Sequence, residues 1–331
     1  MSADGVEVLV VGPGAMGCLH AAWLAKGGLS VGLLDHRPER AAQIDREGVT
    51  VERASETVVV PVPCRAFASG FRSVRLAIIF VKAYHTEAAV EGLLGALDDS
   101  ASVLTLQNGL GNYERIARSV PAEQVLAGAT SSGATLLGVG KVREAGRGTI
   151  RLGSPFGRHQ RAQQAAKTLS GAGLACEVSA SVDEVLWEKA VINAAINPLT
   201  ALEDVRNGEL LERDDLREPL RAITEEAAGV AAAIGIELPE DMVAVVEGVC
   251  RQTAENRSSM LQDVAAGRRT EIEHICGEIA RRAEEAGMSA PWCRALTRMV
   301  AQRSQTERLH REMDRLLGLP TEAESEESTE Q

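Results

Sequence analysis

The sequence predicts an α/β chain, with an N-terminal Rossmann-type doubly wound parallel sheet followed by an all-helical C-terminal domain. Three observations carry that expectation. The run Val6 to Val11, apolar but for Glu7, leads into a glycine loop, Gly12-Pro13-Gly14-Ala15-Met16-Gly17, with helical sequence directly behind it. Short β-branched runs then alternate with helical stretches through the first half, the pattern of βαβ units. After about residue 181 strand-like runs vanish, and Ala, Glu, Arg and Leu take over at helical spacing.

Val6 to Val11 is apolar at every position but Glu7, and its last four residues are unbroken, as a strand covered on both faces requires. Ala15 to Lys26 reads as a helix and Ser30 to Asp35 as a second strand. Further strands are expected at 76–81, 102–107 and 125–130, with 149–153 and 174–178 closing the sheet as edge strands. Ser181 with Glu184 fits a capping box that opens a helix. Thr270 with Glu273 fits another, ahead of Ile272, Ile275, Ile279 and Ala283 on one amphipathic face. A chain of 331 residues suits two domains. The expected division is 1–180 for a dinucleotide-binding domain, 181–319 for a helical substrate domain, and 320–331 for an acidic disordered tail. The last eleven residues, TEAESEESTEQ, hold five Glu and no base, with too little apolar surface to bury.

Composition removes several function classes. A net charge of −12 argues against a nucleic-acid partner, which needs a basic face. No apolar run approaches the ~18–20 residues of a membrane helix, and no signal peptide is expected ahead of the first strand. The six cysteines (Cys18, Cys64, Cys176, Cys250, Cys276, Cys293) form no C-x-x-C pair and no metal-ligand cluster. A reduced, metal-free, cytoplasmic protein is expected, either monomer or homodimer.

The glycine loop is a G-x-G-x-x-G set between a strand and a helix, and the next strand ends in Asp35, 23 residues after Gly12. Gly12 permits the tight turn, Gly14 lets backbone approach a pyrophosphate, and Gly17 lets the helix pack against the strand. The helix N-terminus then offers N–H groups and a positive dipole end to the phosphates. At the end of the second strand, Asp35 suits the 2′-hydroxyl of NAD and would repel a 2′-phosphate. His36, Arg37 and Arg40 follow at once, and the arginines suit that phosphate.

The segment LWEKAVINAAINPLTA (186–201) is the most informative in the chain. Lys189, Asn193 and Asn197 recur every four residues and so share one helix face. Nearly everything between them is apolar, which marks a buried or nearly buried helix. Burying an ammonium and two amides costs several kcal/mol unless they find partners, and a polar ligand is one such partner. A solvated stripe on a packed helix is the plainer alternative. Pro198 removes one helix N–H and is expected to kink the helix beside Asn197. A second polar cluster, Asn256, Ser258 and Ser259, precedes Glu271. Hydroxyls and amides at a helix end suit a carboxylate ligand.

Four stretches together resemble the ketopantoate reductase family: VGPGAMG (11–17), LQNGLG (106–111), WEKAVINAAINPLTALEDVRNGEL (187–210) and AENRSSMLQDVAAGRRTEI (254–272). The likeness spans roughly residues 6 to 312. It implies NADPH-dependent reduction of 2-dehydropantoate, a small 2-keto acid, to pantoate on the route to pantothenate and coenzyme A. By position, Lys189 matches the proton donor, and Asn193, Asn197 and Asn207 match substrate-binding asparagines. Asn256, Ser258 and Ser259 match the loop that holds the substrate. Lys82 and Asn108 match contacts to the nicotinamide half of the cofactor, and Ala134 a backbone contact to it. Glu271 matches a glutamate set against the cofactor ribose and the lysine. His36 stands where the family often carries an arginine, and Asp35 leaves NAD as the other cofactor. Two further readings stay open: a paralogous reductase or dehydrogenase of another 2-keto or 2-hydroxy acid, and a non-catalytic dinucleotide-binding sensor.

Overall fold

A computed structural model describes residues 4–317, with side chains to residue 312, so the tail expected at 320–331 lies outside the described residues. The chain divides after Leu186 into two compact units, Met1–Leu186 and Trp187–Gln331.

The first unit is built on strands. In chain order they begin with β1 (Asp4–Gly5), β2 (Val8–Val11), β3 (Val31–Leu34), β4 (Val49–Glu52), β5 (Thr57–Val60), β6 (Cys64–Arg65) and β7 (Phe71–Arg72). They continue with β8 (Val74–Ile79), β9 (Leu97–Thr105), β10 (Val125–Thr130), β11 (Gly133–Gly138), β12 (Lys141–Gly146), β13 (Ile150–Gly153) and β14 (Cys176–Val178). Eight strands form one sheet in the order β14-β13-β10-β9-β8-β2-β3-β6. Every neighbouring pair in it is parallel except β10 with β13. Winding reverses between β2 and β8, the switch point at which an open α/β sheet takes its ligand.

Helices of this unit are α1 (Ala15–Lys26), α2 (Pro38–Glu47), α3 (Thr86–Leu93), α4 (Asn112–Ile116) and α5 (His159–Gly171). They cover both faces of the sheet, which explains the unbroken apolar run of β2. Val8 and Val10 join one core with residues of α1, α2 and α5, while Leu9 and Val11 join another with α3 and α4. Period-two alternation thus feeds two helical layers at once.

Two features of this unit depart from the sequence expectation. Ile150–Gly153 is not an edge strand: β13 lies between β10 and β14, runs antiparallel to β10, and leaves β14 at the edge. A second, four-stranded sheet, β11-β12-β4-β5, also lies outside that expectation. It packs on α1, whose residues Gly17 to Leu24 are all buried. That cover accounts for a helix apolar on nearly every side. Trp23 Nε1 donates to Glu144 Oε2 on β12 at 3.3 Å, and Glu144 pairs in turn with Arg53 at 2.8 Å.

The helix α6 (Val182–Glu203) starts directly after Ser181, as the capping pattern predicts, and the division between units falls within it. The second unit continues with α7 (Glu209–Glu212), α8 (Asp214–Ala233), α9 (Met242–Gln252), α10 (Ser259–Ala265), α11 (Cys276–Glu285) and α12 (Pro291–Leu317). The helix expected behind Thr270 opens later. Ile275 has φ −105° and ψ −90°, outside the helical region, so residues 272–274 form a separate 3-10 turn and α11 begins at Cys276. The apolar face survives this break, with Ile272, Ile275, Ile279 and Ala283 all buried. At α12, the Glu226 carboxylate accepts the N–H groups of Trp292 and Cys293 at 2.9 and 2.8 Å, occupying donors that a helix start otherwise leaves unpaired.

Candidate active site

The glycine loop leaves β2 and enters α1 with each glycine held to a different requirement. Gly12 has φ +96°, and a Cβ there would stand 2.7 Å from Val81 Cγ1. A Cβ on Gly17 would meet the Gly12 carbonyl oxygen at 2.0 Å, so helix and loop touch backbone to backbone. Above Gly14 a Cβ would meet nothing within 4 Å. One glycine makes the turn, one the packing, and one leaves an open approach. Pro13 is buried, whereas Ala15 and Met16 are half-buried at a helix start with no acidic side chain in its first turn. These features fit a dinucleotide pyrophosphate, which needs backbone N–H groups and no competing negative charge.

Asp35, just past β3, is 2% exposed. It accepts the Arg37 backbone N–H at 3.1 Å and lies 2.8 Å from Arg40 Nε, close enough for an ion pair though not aligned as a hydrogen bond. Arg40 Nη2 also donates to the Pro13 carbonyl at 3.3 Å. Arg40 therefore joins the glycine loop to the acid and balances its charge. Arg37 and His36 are exposed beside them, and the His36 ring lies 6.1 Å from that of His85.

Lys82 follows β8 and Asn108 follows β9, both half-buried. Because β3, β2, β8 and β9 are parallel neighbours, Asp35, the glycine loop, Lys82 and Asn108 all stand at the C-terminal ends of adjoining strands. Ala134 is half-buried on β11, four residues past β10.

In the second unit, Asn197 is buried and Lys189 and Asn193 are half-buried, while Ala190, Val191, Ala194, Ala195 and Ile196 are buried among them. The helix runs through Pro198 to Glu203. Proline deprives the Ala194 carbonyl of its helical donor, and the Cys276 thiol donates to that oxygen at 3.8 Å. Thr200, unforeseen from sequence, ties the helix to the serine loop. Its hydroxyl lies 3.0 Å from the Asn197 carbonyl and 2.7 Å from Ser258 Oγ. Ser258 caps α10 by accepting the Leu261 N–H at 3.1 Å, a structural duty beyond the one expected of it. Asn207 is buried, its Nδ2 donating to Thr253 Oγ1 at 2.9 Å and its backbone N–H to the Asn256 carbonyl at 3.1 Å. Its Oδ1 is buried with no hydrogen-bond partner, an acceptor that suits a ligand hydroxyl. Asn256 and Ser259 are exposed. Burial pulls the Lys189 ammonium from the ordinary 10.5 down to about 8, and the charge of buried Glu271 pulls it partly back.

Two family models match the chain: "Ketopantoate reductase PanE/ApbA" over residues 8–156, and "Ketopantoate reductase PanE/ApbA C terminal" over residues 181–304. A 2-dehydropantoate 2-reductase from Halobacterium salinarum is 38% identical over 297 residues, covering 89% of this chain and 98% of that relative. The chain belongs to the ketopantoate reductase family. Among solved structures, a PanE/ApbA family ketopantoate reductase from Ralstonia eutropha gives a TM-score of 0.82 at 31% identity, over 91% of this chain and 99% of that one. A D-mandelate dehydrogenase solved with NADH and anilino(oxo)acetate gives 0.85 at 30%, with the same coverage. Membership in the ketopantoate reductase family makes this chain an oxidoreductase.

Proposed function

We propose that the chain reduces 2-dehydropantoate to pantoate with NADPH, a step towards pantothenate and coenzyme A. The observation that carries this reading is Lys189, an ammonium lowered to about 8 on a helix that also bears Asn193 and Asn197. Reduction of a ketone leaves negative charge on the carbonyl oxygen, and a nearby acid must quench it. A lysine of ordinary pKa is a poor proton donor at neutral pH; one near 8 is matched to the task. Bound nicotinamide supplies the hydride. The residues assigned to its cofactor are Gly12 to Gly17, Arg37, Lys82, Asn108, Ala134 and Glu271. Those assigned to the keto acid are Asn193, Asn197, Asn207, Asn256, Ser258 and Ser259, with Lys189 delivering the proton to the nascent alkoxide.

Preference for NADPH rests on the arginines beside Asp35. An unpaired carboxylate there would repel a 2′-phosphate, but Arg40 already balances this one, and Arg37 stands exposed next to it. NADPH is expected to bind at least about tenfold more tightly than NADH, the value of one charge-assisted hydrogen bond. Fluorescence titration of both reduced cofactors checks this. Arg37→Ala should erase the difference by weakening NADPH alone; equal or better binding of NADH to the unaltered chain would refute it.

Binding of the keto acid separates from that of the cofactor. Asn193→Ala or Asn197→Ala should raise KM for ketopantoate about tenfold, each by loss of a hydrogen bond, with NADPH affinity near wild type. Loss of NADPH binding with an unchanged KM would contradict the assignment.

The similarity to D-mandelate dehydrogenase favours one second reading, a reductase of a different 2-keto acid. A panel of 2-keto acids, followed by loss of the reduced nicotinamide's absorbance, distinguishes them. Ketopantoate should give the highest kcat/KM. If the keto acid of mandelate or another member exceeds it, the second reading holds, and turnover of none would leave only dinucleotide sensing.

A further inference from the structure

Three buried polar side chains of the first unit have no part in the reaction as assigned above. Thr86 is 1% exposed, Asn112 4% and Gln107 6%. Hydroxyls and amides are buried at little cost only when hydrogen-bonded, and these are bonded to one another. The Gln107 amide nitrogen donates to the Val81 carbonyl and to Thr86 Oγ1, both at 2.8 Å, while its oxygen accepts from the Thr105 hydroxyl at 2.9 Å. Val81 offers only a carbonyl oxygen there, so the amide orientation is fixed; flipping it would oppose two acceptors. Thr86 Oγ1 donates to the Ala83 carbonyl at 2.8 Å and lies 3.3 Å from Asn112 Oδ1. Asn112 Nδ2 completes the chain by donating to the Asn108 carbonyl at 3.0 Å.

The bonds end on two loops that carry candidate cofactor contacts. Val81 and Ala83, both gripped through their carbonyls, flank Lys82. Asn108 has Gln107 on one side and its own carbonyl held by Asn112. Since β8 and β9 are parallel neighbours, the two loops leave the same end of the sheet. We propose that Gln107, Thr86 and Asn112 are positioning residues that fix Lys82 and Asn108 relative to each other, and so align the nicotinamide half of the cofactor for hydride transfer. This rests on the assignment of Lys82 and Asn108 to that half. A misplacement near 1 Å costs on the order of 10²-fold in rate, and contacts carried on loops are only as precise as the bonds that support them.

The test is single-turnover hydride transfer to ketopantoate at saturating NADPH, with the rate expressed per NADPH-binding site counted by titration. Thr86→Val keeps the shape and removes the hydroxyl; it should slow transfer per site about tenfold or more, with NADPH affinity within a few-fold of wild type. Thr86→Ser restores the hydroxyl and should restore the rate. Gln107→Met, which removes both donors at similar volume, should repeat the defect. A merely structural role would reduce the number of binding sites and leave the rate per site unchanged, and that result overturns the proposal. Complete loss of NADPH binding in both Thr86→Val and Gln107→Met overturns it as well. Asn108→Ala in the same assay isolates the underlying assignment. A slowed Asn108→Ala beside a normal Thr86→Val refutes the positioning role alone, whereas an unslowed Asn108→Ala removes the contact on which the proposal rests.

Discussion

Lys189→Ala is expected to lower kcat/KM for ketopantoate by about 10²–10⁴-fold, the range over which general acids act, while NADPH affinity stays near wild type. The ammonium sits half-buried on α6, lowered to about 8 by burial, with Glu271 restoring part of the loss. Under the proposed assignment, its removal takes away the proton donor and one charged contact to the substrate. The helix should persist, because alanine has the better helix propensity and Ala190, Val191 and Ala194 keep their packing. Steady-state kinetics, a thermal melt and an NADPH titration on the same variant check all three expectations. Activity within a few-fold of wild type would show that another group supplies the proton. A variant that does not fold would make the lysine structural.

The glycine loop yields the second large effect, as a contrast between two alanines. Gly17→Ala places a Cβ 2.0 Å from the Gly12 carbonyl oxygen, so loop and helix must separate. Both Tm and NADPH affinity should fall, the latter by about 100-fold or more, equivalent to ~2.7 kcal/mol. Gly14→Ala meets nothing within 4 Å and should leave Tm unchanged. Its methyl group nevertheless stands where backbone is assigned to approach the pyrophosphate, and NADPH affinity should drop about tenfold or more with the loss of charge-assisted contacts. Calorimetry of folding and binding separates the two variants. Equal Tm losses, or an unaffected Gly14→Ala, would place the pyrophosphate elsewhere.

Where burial is one-sided or two-sided by a simple rule, sequence predicts structure closely. Ala15–Lys26 and Val125–Thr130 have the expected bounds, since a glycine loop opens the first and the second is buried throughout. Two of the four strands of the second sheet carry no comparable signal. Gly133–Gly138 and Lys141–Gly146 hold glycines and charges, and few of their side chains are buried, because the sheet covers a single helix and leaves its other residues towards solvent. Thr270 resembles a helix cap, but the backbone at Ile275 breaks the helix that the pattern announces.

The candidate site divides the same way. The spacing of Lys189, Asn193 and Asn197 exposes their shared face in one dimension. Ion pairing is not legible in that way. Arg40 reads as a phosphate ligand until the fold sets its guanidinium on Asp35 and the Pro13 carbonyl. Thr200 and Gln107 read as ordinary polar residues, and only three-dimensional proximity gives them Ser258 and Thr86 as partners.

The pH dependence of kcat/KM for ketopantoate, measured at saturating NADPH, tests most directly that the Lys189 ammonium is the acid of this reaction. Lowered by burial, the lysine is protonated below about pH 8 and loses its proton above it. The profile should therefore be level on the acid side of that value and fall about tenfold per pH unit beyond it. Because Glu271 raises the lysine's pKa, Glu271→Gln should move the alkaline limb to lower pH. A profile level up to pH 10, or a limb that Glu271→Gln leaves in place, would contradict the assignment of Lys189.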